Sequence, residues 1–207
     1  MYLIKTPFWL RAIYPNCTWK IPSKEKVIYL SFDDGPHPEA TPFVLEELKK
    51  YNAKATFFCI GNNVLKHPNI YESILLAGHA VGNHTYDHLN GWKTDTNSYL
   101  ENINDAASLI ESNFFRPPYG RITKSQIKAI KQNKHLPNQI IMWDVLSGDF
   151  DLKLNGEDCA RNVIKNVQPG SIIVFHDSQK AWDRLVVALP IVLQYFSNLG
   201  YKMELIP

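Results

Sequence analysis

The sequence predicts a single α/β domain built on a parallel sheet that closes into a barrel. From Val27 onward, short apolar runs typical of buried strands alternate with segments whose apolar residues recur at helical spacing. Such alternation predicts βαβ units and therefore a parallel sheet, closed or doubly wound. Several chemically active side chains fall at or just after predicted strand ends, and candidates gathered at one rim favour the barrel. The length of 207 residues suits one domain with a sizeable core.

The predicted elements follow one another without a repeat or a linker. The strands are expected over 27–30, 54–60, 79–83, 114–116, 140–145, 171–175 and 201–205. The helices are expected over 39–51, 62–77 with a break at His67-Pro68, 97–112, 123–131, 156–166, and a last long helix through 185–196 kinked at Pro190. Residues 1–25 are expected to form an extension that packs on the domain of residues 26–207, with contact to a membrane surface as the alternative for its aromatic side chains.

Composition excludes several classes of function. A net charge of +2 provides no basic surface of the kind that binds nucleic acid. Three widely spaced cysteines without a CxxC pair argue against a disulfide scaffold or a cysteine-zinc site. No apolar run reaches the roughly 18 residues of a transmembrane helix, and no secretory signal is evident. Because no signal is evident, the cytoplasm is favoured as the location, with the cell envelope as the alternative. A monomer is favoured as the oligomeric state.

Two adjacent acids, Asp33 and Asp34, follow the first predicted strand and precede a Gly-Pro turn. Neighbouring carboxylates repel each other unless a cation, a base or a proton separates their roles. A solvated turn is the simpler interpretation of the pair alone, since Asp-Gly is a common turn dipeptide. The motifs further along the chain favour a functional pair.

Two histidines four residues apart, His84 and His88, come just after a predicted strand end. On a helical turn this spacing points both imidazoles the same way, as a shared metal requires. Two histidines and one carboxylate leave a tetrahedral zinc with an open position for water. The HxxxH pattern alone also occurs by chance on solvated helices.

A stiff loop and a third histidine complete the set of candidates. In the loop that begins at Arg116, two prolines restrict the backbone, so a remaining N–H can be held toward an oxyanion. Arg116 can also pair with a carboxylate and keep it ionised. His176 ends an apolar strand and is a candidate general acid. A rigid surface turn and a structural histidine are the alternative interpretations.

Four motifs in this order, SFDDGP, HTYDH, RPPYG and VFH, resemble those of the polysaccharide deacetylases, the carbohydrate esterase family 4 or NodB-homology group. The resemblance covers roughly Lys26 to the C-terminus. It implies an irregular (β/α)7 barrel and a metal-dependent hydrolase that removes N-acetyl groups from amino sugars of a glycan and releases acetate. Peptidoglycan, chitin-like oligomers and other polysaccharides all stay open as substrates. An amide hydrolase with a non-sugar substrate and a non-catalytic glycan-binding module are the alternatives.

The resemblance also assigns roles to individual residues. It makes Asp34, His84 and His88 the metal ligands, with zinc expected and cobalt, nickel or manganese as alternatives. The catalytic group is Asp33 as base, Arg116 as the residue that orients it, the Tyr119 N–H as oxyanion donor, and His176 as the acid that protonates the leaving amine. The substrate-binding group is Pro118, Tyr119, Val174 and Phe150.

One motif departs from the family pattern, in the segment 143–150 where the family often shows DxxDW. If Asp149 takes the second aspartate position, Leu146 stands at the first and Phe150 at the tryptophan. The first aspartate normally supports the acid histidine, so the partner of His176 is left undecided. The candidates are Asp144, Asp149 and Asp177.

Overall fold

The structure is a computed structural model that describes residues 2–207 of the chain. The strands are β1 (Cys17–Thr18), β2 (Val27–Asp33), β3 (Ala55–Cys59), β4 (Ala80–Asn83), β5 (Phe114–Phe115), β6 (Gln139–Ile141), β7 (Val145–Leu146), β8 (Ile172–His176) and β9 (Lys202–Met203). The helices are α1 (Phe8–Ile13), α2 (Ala40–Lys50), α3 (Gly61–Lys66), α4 (Pro68–Leu76), α5 (Thr96–Ala107), α6 (Lys124–Gln132), α7 (Gly156–Asn166) and α8 (Trp182–Asn198), with a 3-10 turn at Pro118–Gly120.

The strands form one parallel sheet in the order β1-β6-β5-β4-β3-β2-β8-β7, with β9 beside β2. The sheet curls, because β6 and β7 follow each other in the chain yet lie toward opposite edges. Between them the Met142 N–H donates to Thr18 O at 2.7 Å, and the Asp144 N–H donates to Ile172 O at 2.9 Å. The predicted barrel is confirmed. The single strand expected over 140–145 is wrong, because the chain changes its partner strand midway.

The core is organised around β2, which lies between β3 and β8. Its side chains Ile28, Leu30 and Phe32 are fully buried and belong to a cluster that also contains residues of α2, α7 and α8. Both faces of this strand are covered, so its first four residues, Val27 to Leu30, are apolar without alternation. Burial of each such side chain contributes about 1.5–3 kcal/mol. The rim that follows β2 therefore rests directly on the buried core.

The predicted helices are confirmed, most of them within one residue at each end. The helix expected over 62–77 is broken where α4 starts at Pro68, because proline lacks the N–H that an earlier turn would need. The helix α5 ends at Ala107, five residues before the predicted 112. Among residues 2–207, no helix has both the length and the apolar character needed to cross a bilayer.

The segment before β2 packs against one side of the barrel. Its strand β1 pairs with β6, and Trp19 is buried. The Leu146 N–H donates to Ile4 O at 2.8 Å, which covers the free edge of β7. Lys5 and Arg11 both form ion pairs with the buried carboxylate of Asp144. These contacts fix the segment beside the open end of the barrel.

Candidate active site

The carboxyl ends of the strands open into one cavity of about 750 Å³. Strands in a parallel sheet share one direction, so the loops that follow them meet at the same rim. Six of the seven predicted catalytic and metal-binding residues line this cavity: Asp33, Asp34, His84, His88, Tyr119 and His176. Motifs that are far apart in the sequence therefore converge on one place.

Asp33, the predicted base, is held by Arg116 from inside the barrel. The Arg116 side chain is fully buried, and its Nη1 donates to Asp33 Oδ1 at 2.7 Å. Its other N–H groups donate to Ser31 Oγ, Ile141 O and Met142 O. A charged pair in this setting is stable because every guanidinium nitrogen has a partner. Asp33 is therefore fixed in orientation.

Asp34, His84 and His88 form a cluster that fits a divalent metal ion. One ligand atom from each lies within 4.8 Å of the others. His88 Nε2 lies 3.1 Å and His84 Nε2 lies 3.6 Å from Asp34 Oδ1, and this carboxylate oxygen is buried without a hydrogen-bond partner. An unpartnered buried carboxylate oxygen is costly unless a cation joins it. The donor set of two imidazoles and one carboxylate suits zinc and other first-row metals.

Both histidines are oriented by their second ring nitrogen. His84 Nδ1 lies 2.7 Å from Arg116 O, and a carbonyl only accepts, so Nδ1 carries the proton and Nε2 faces Asp34 with a lone pair. Burial lowers the pKa of His84 to about 4, which keeps the ring neutral at pH 7 as a ligand must be. His88 Nδ1 lies 3.1 Å from the hydroxyl of Tyr119.

The loop that carries the two histidines is not the helical turn expected from their spacing. Residues 84–88 have no helical structure, and Thr85 and His88 have φ angles of 63° and 58°. The loop is held by Asn102 of α5, whose Oδ1 accepts from the N–H groups of Tyr86 and Asp87 at 2.9 and 3.0 Å. The imidazoles thus converge through a pinned loop, and the helical interpretation of the spacing is wrong.

The undecided partner of His176 is Asp149. Asp149 Oδ1 lies 2.7 Å from His176 Nδ1, and its Oδ2 accepts from the His176 backbone N–H at 2.7 Å. Burial by itself lowers the pKa of His176, but the charge and hydrogen bond of Asp149 outweigh it and raise the pKa to about 9. His176 is therefore a protonated acid at neutral pH, with Nε2 left to face the cavity.

The other two candidate aspartates have different partners. The carboxylate of Asp144 is bound by Lys5, Arg11 and Ser171. Asp177 accepts from Gly35 N–H at 3.1 Å and from the hydroxyl of Thr41 at 2.5 Å. Both carboxylates are fully buried and have structural contacts of their own. Asp177 ties the turn after the two site aspartates to α2.

Of the predicted substrate-binding residues, Tyr119, Phe150 and Val174 line the cavity. Pro118 is buried and is not among the residues that line the cavity, so its contact with substrate stays a prediction. The two consecutive prolines turn the following residue outward: Tyr119 has a φ of 59° and is 62% exposed. Phe150 packs edge-on against His176, with ring centroids 5.3 Å apart.

Three contributors to the site were missed in the sequence. Tyr2 lines the cavity, packs on Phe150 with centroids 4.9 Å apart, and donates to Asp151 Oδ2 at 2.7 Å. Asn102 holds the histidine loop, and Arg184 Nε donates to Asp149 O at 2.6 Å. These contacts join residues 15 to 149 positions apart. For Asn102 and Arg184 the sequence offers one weak signal, a polar residue among the apolar positions of a predicted helix.

Left-handed backbone is concentrated at the site. Of five non-glycine residues with positive φ among residues 2–207, four lie in its loops: Asp34 (80°), Thr85 (63°), His88 (58°) and Tyr119 (59°). Such angles are rare for non-glycine residues, most of all for a β-branched threonine. The loop contacts described above hold these angles and aim the side chains.

Comparison with known proteins agrees with this geometry. The family model described as polysaccharide deacetylase matches residues 20–136. A peptidoglycan-N-acetylglucosamine deacetylase of Bacillus cereus is 34% identical over 191 residues, with 89% of this chain and 88% of that protein covered. A chitooligosaccharide deacetylase of Azorhizobium caulinodans is 31% identical over 206 residues, with 91% and 96% covered.

A solved structure shares almost the whole fold. The crystal structure of the Bc1960 peptidoglycan N-acetylglucosamine deacetylase superposes with a TM-score of 0.87 at 32% identity, covering 98% of this chain and 95% of that one. The chain therefore belongs to the polysaccharide deacetylase family.

Proposed function

We propose that this protein hydrolyses the N-acetyl amide of N-acetylglucosamine units in peptidoglycan and releases acetate. One observation carries the proposal: a cluster of metal-ligand type lies in one cavity with a carboxylate paired with a buried arginine and a histidine held protonated by aspartate. A base and an acid with separate partners are what amide hydrolysis requires. The names of the relatives favour a bacterial glycan, and two of those above act on peptidoglycan.

Each side chain has one task in this reaction. Asp33, oriented by Arg116, accepts a proton from the water that attacks the acetyl carbonyl. The Tyr119 N–H donates to the acetyl carbonyl oxygen, which becomes an oxyanion when water adds to the carbon. His176 gives its proton to the amide nitrogen, the C–N bond breaks, and acetate and the free amine result. A divalent metal held by Asp34, His84 and His88, which we propose to be zinc, supplies Lewis acidity toward the carbonyl and the water when it is bound.

The cavity walls suit a sugar ring. Trp92, Tyr119, Trp143 and Phe150 line it together with the polar side chains of Asn90 and Lys93. Flat aromatic faces with nearby polar groups are typical of sites that bind an amphipathic ligand.

We further propose that the protein acts as a monomer. Because the proposed substrate is peptidoglycan, we also propose that the reaction takes place in the cell envelope.

Acetate release from peptidoglycan fragments and from N-acetylglucosamine oligomers tests the proposal. Purified protein is assayed before chelation, after chelation, and after zinc is added back. We expect release that stops with the chelator and returns with zinc. Release from small non-sugar amides but from no glycan would contradict the proposed substrate.

Two variants separate the base from the metal site. We expect Asp33→Asn to retain bound metal and lose turnover by at least about 100-fold. Asp34→Ala is expected to weaken metal binding itself, measured as metal content after dialysis. Normal activity of Asp33→Asn would overturn the role of Asp33 as base.

A further inference from the structure

We propose that this protein docks on an anionic lipid bilayer through a surface next to its active site. This α1–α6 face consists of Phe8, Trp9 and Ile13 of α1 and Lys124, Lys128 and Lys131 of α6. None of these residues belongs to the catalytic machinery. The inference therefore stands on observations that are independent of the proposed reaction.

The apolar half of the face is the outer side of α1. Phe8 is 83%, Trp9 51% and Ile13 46% exposed, and α1 has no buried residue. Their spacing in the helix places all three on one side, while Leu10 packs inward against the core. Large aromatic side chains this exposed, side by side on a helix, are unusual on a monomer and mark an interaction surface.

The basic half is the outer side of α6. Lys124, Lys128 and Lys131 follow one another at helical spacing and are all exposed, while Ile127 and Ile130 face the core. None of the three lysines forms an ion pair within residues 2–207. Their charges are therefore available to an external partner.

The two halves meet where Ile13 of α1 lies across a groove from the three lysines of α6. This groove of about 730 Å³ lies between them, lined by Ile13 and Tyr14 on one side and the three lysines on the other. The sequence around the groove is free of acids: neither residues 1–24 nor residues 112–143 contain Asp or Glu, although the whole chain carries 20 acids against 22 Lys and Arg. The charged side chains that line the groove are therefore all lysines, although the net charge of the whole protein is only +2.

Aromatic side chains beside lysines match the chemistry of a lipid–water interface. Tryptophan and phenylalanine insert at the level of the headgroups, and lysines bind the anionic phosphates. A second copy of the chain is a poorer occupant, because a two-fold contact would bring the like-charged lysines together. An anionic polymer without rings would engage the lysines but would leave the exposed phenyl and indole side chains in contact with water.

Vesicle binding of the purified chain tests the proposal. Co-sedimentation is measured with vesicles of phosphatidylcholine alone and of phosphatidylcholine mixed with phosphatidylglycerol, over a range of salt concentrations. We expect binding to the mixed vesicles only, and weaker binding as salt increases. Binding to neither vesicle, or equal binding to both, would overturn the proposal.

Two variants and two matched controls locate the surface. Lys124→Gln/Lys128→Gln/Lys131→Gln is expected to bind on the order of 100-fold more weakly, about fivefold for each lysine. Phe8→Ala/Trp9→Ala is expected to lose at least about tenfold. The controls remove equally exposed residues elsewhere: Lys49→Gln/Lys66→Gln/Lys165→Gln and Leu65→Ala/Leu76→Ala. Circular dichroism checks that each variant is folded, and the controls are expected to bind like the unmodified protein.

The same variants distinguish a bilayer from the other possible partners of the α1–α6 face, a second copy of the chain and a soluble polyanion. Control variants that bind as weakly as the test variants would overturn the proposal, since binding would then be unspecific. Self-association in sedimentation velocity that Phe8→Ala/Trp9→Ala abolishes would assign the face to a second copy. Binding to a soluble polyanion that needs the lysines, with vesicle binding indifferent to Phe8→Ala/Trp9→Ala, would assign it to a polymer. Either of these results would replace the bilayer as the partner.

Discussion

Replacing Asp149 by asparagine should remove the proton on which the acid step depends. In the native protein His176 has a pKa of about 9 against an ordinary value of 6.5, because Asp149 contacts its Nδ1 at 2.7 Å. Asparagine keeps the shape but removes the charge, and burial then lowers the pKa of His176. We therefore expect this pKa to fall below 6.5 in Asp149→Asn, and turnover at neutral pH to fall at least about 100-fold.

The same pair makes a calculable contribution to stability. The pKa of His176 is higher in the folded protein than the ordinary 6.5 of an unfolded chain. The stabilisation is therefore fully present below pH 6.5 and is lost as the pH rises through 9. With about 1.4 kcal/mol for each pH unit between the two values, the raised pKa of His176 contributes about 3–4 kcal/mol. The His176 side chain is only 15% exposed, so solvent screening removes little of this energy.

Two measurements check this reasoning. The pKa of His176 is read from the imidazole NMR signals of the metal-free protein, and the free energy of unfolding is measured with urea at pH 6 and pH 9.5. Asp151→Asn is the matched control, because its carboxylate is two residues away and binds Tyr2 rather than His176. A His176 pKa that stays above 8 in Asp149→Asn would refute the role of the pair.

Three further substitutions are expected to affect distinct parts of the site. Arg116→Met leaves a buried aspartate without its partner, so we expect unfolding in urea to show a loss of about 3–5 kcal/mol. Asn102→Ala releases the N–H groups of the histidine loop and should weaken zinc affinity about 10–100-fold in calorimetric titration, whereas the exposed Asn104→Ala on the same helix should not. Gly35→Ala places a Cβ where the carboxylate of Asp177 lies, and should lower thermal stability by about 1–3 kcal/mol.

The fold was predictable because its strongest signals are local. The run that becomes β2 is apolar without alternation, as a strand covered on both faces must be. The carboxyl ends of parallel strands lie at one rim of the sheet. Asp33 and His176 each end a strand, so the topology alone places them close together. Family motifs then supplied the roles, and the comparisons confirmed the family and its fold.

The parts that sequence could not supply depend on contacts between distant segments. Three aspartates were equally available to His176, and only the path of the chain decides that Asp149 reaches it. The HxxxH spacing suggested a helix, but Asn102 pins a loop instead. The presence of Tyr2 in the cavity wall depends on how the N-terminal segment crosses the barrel. No periodicity or composition encodes these outcomes.

The residues of the site with left-handed backbone lower the stability of the fold, while their side chains are needed for activity. Each such angle costs on the order of 1–3 kcal/mol, and Asp34, Thr85, His88 and Tyr119 together carry four of them. That sum is comparable to the whole stability margin of a typical domain. Glycine at these positions would relieve the backbone while removing the side chains that do the chemistry. A lineage of this protein that lost selection for catalysis would therefore become more robust as it became inactive, and efforts to engineer thermal tolerance should leave these four positions alone.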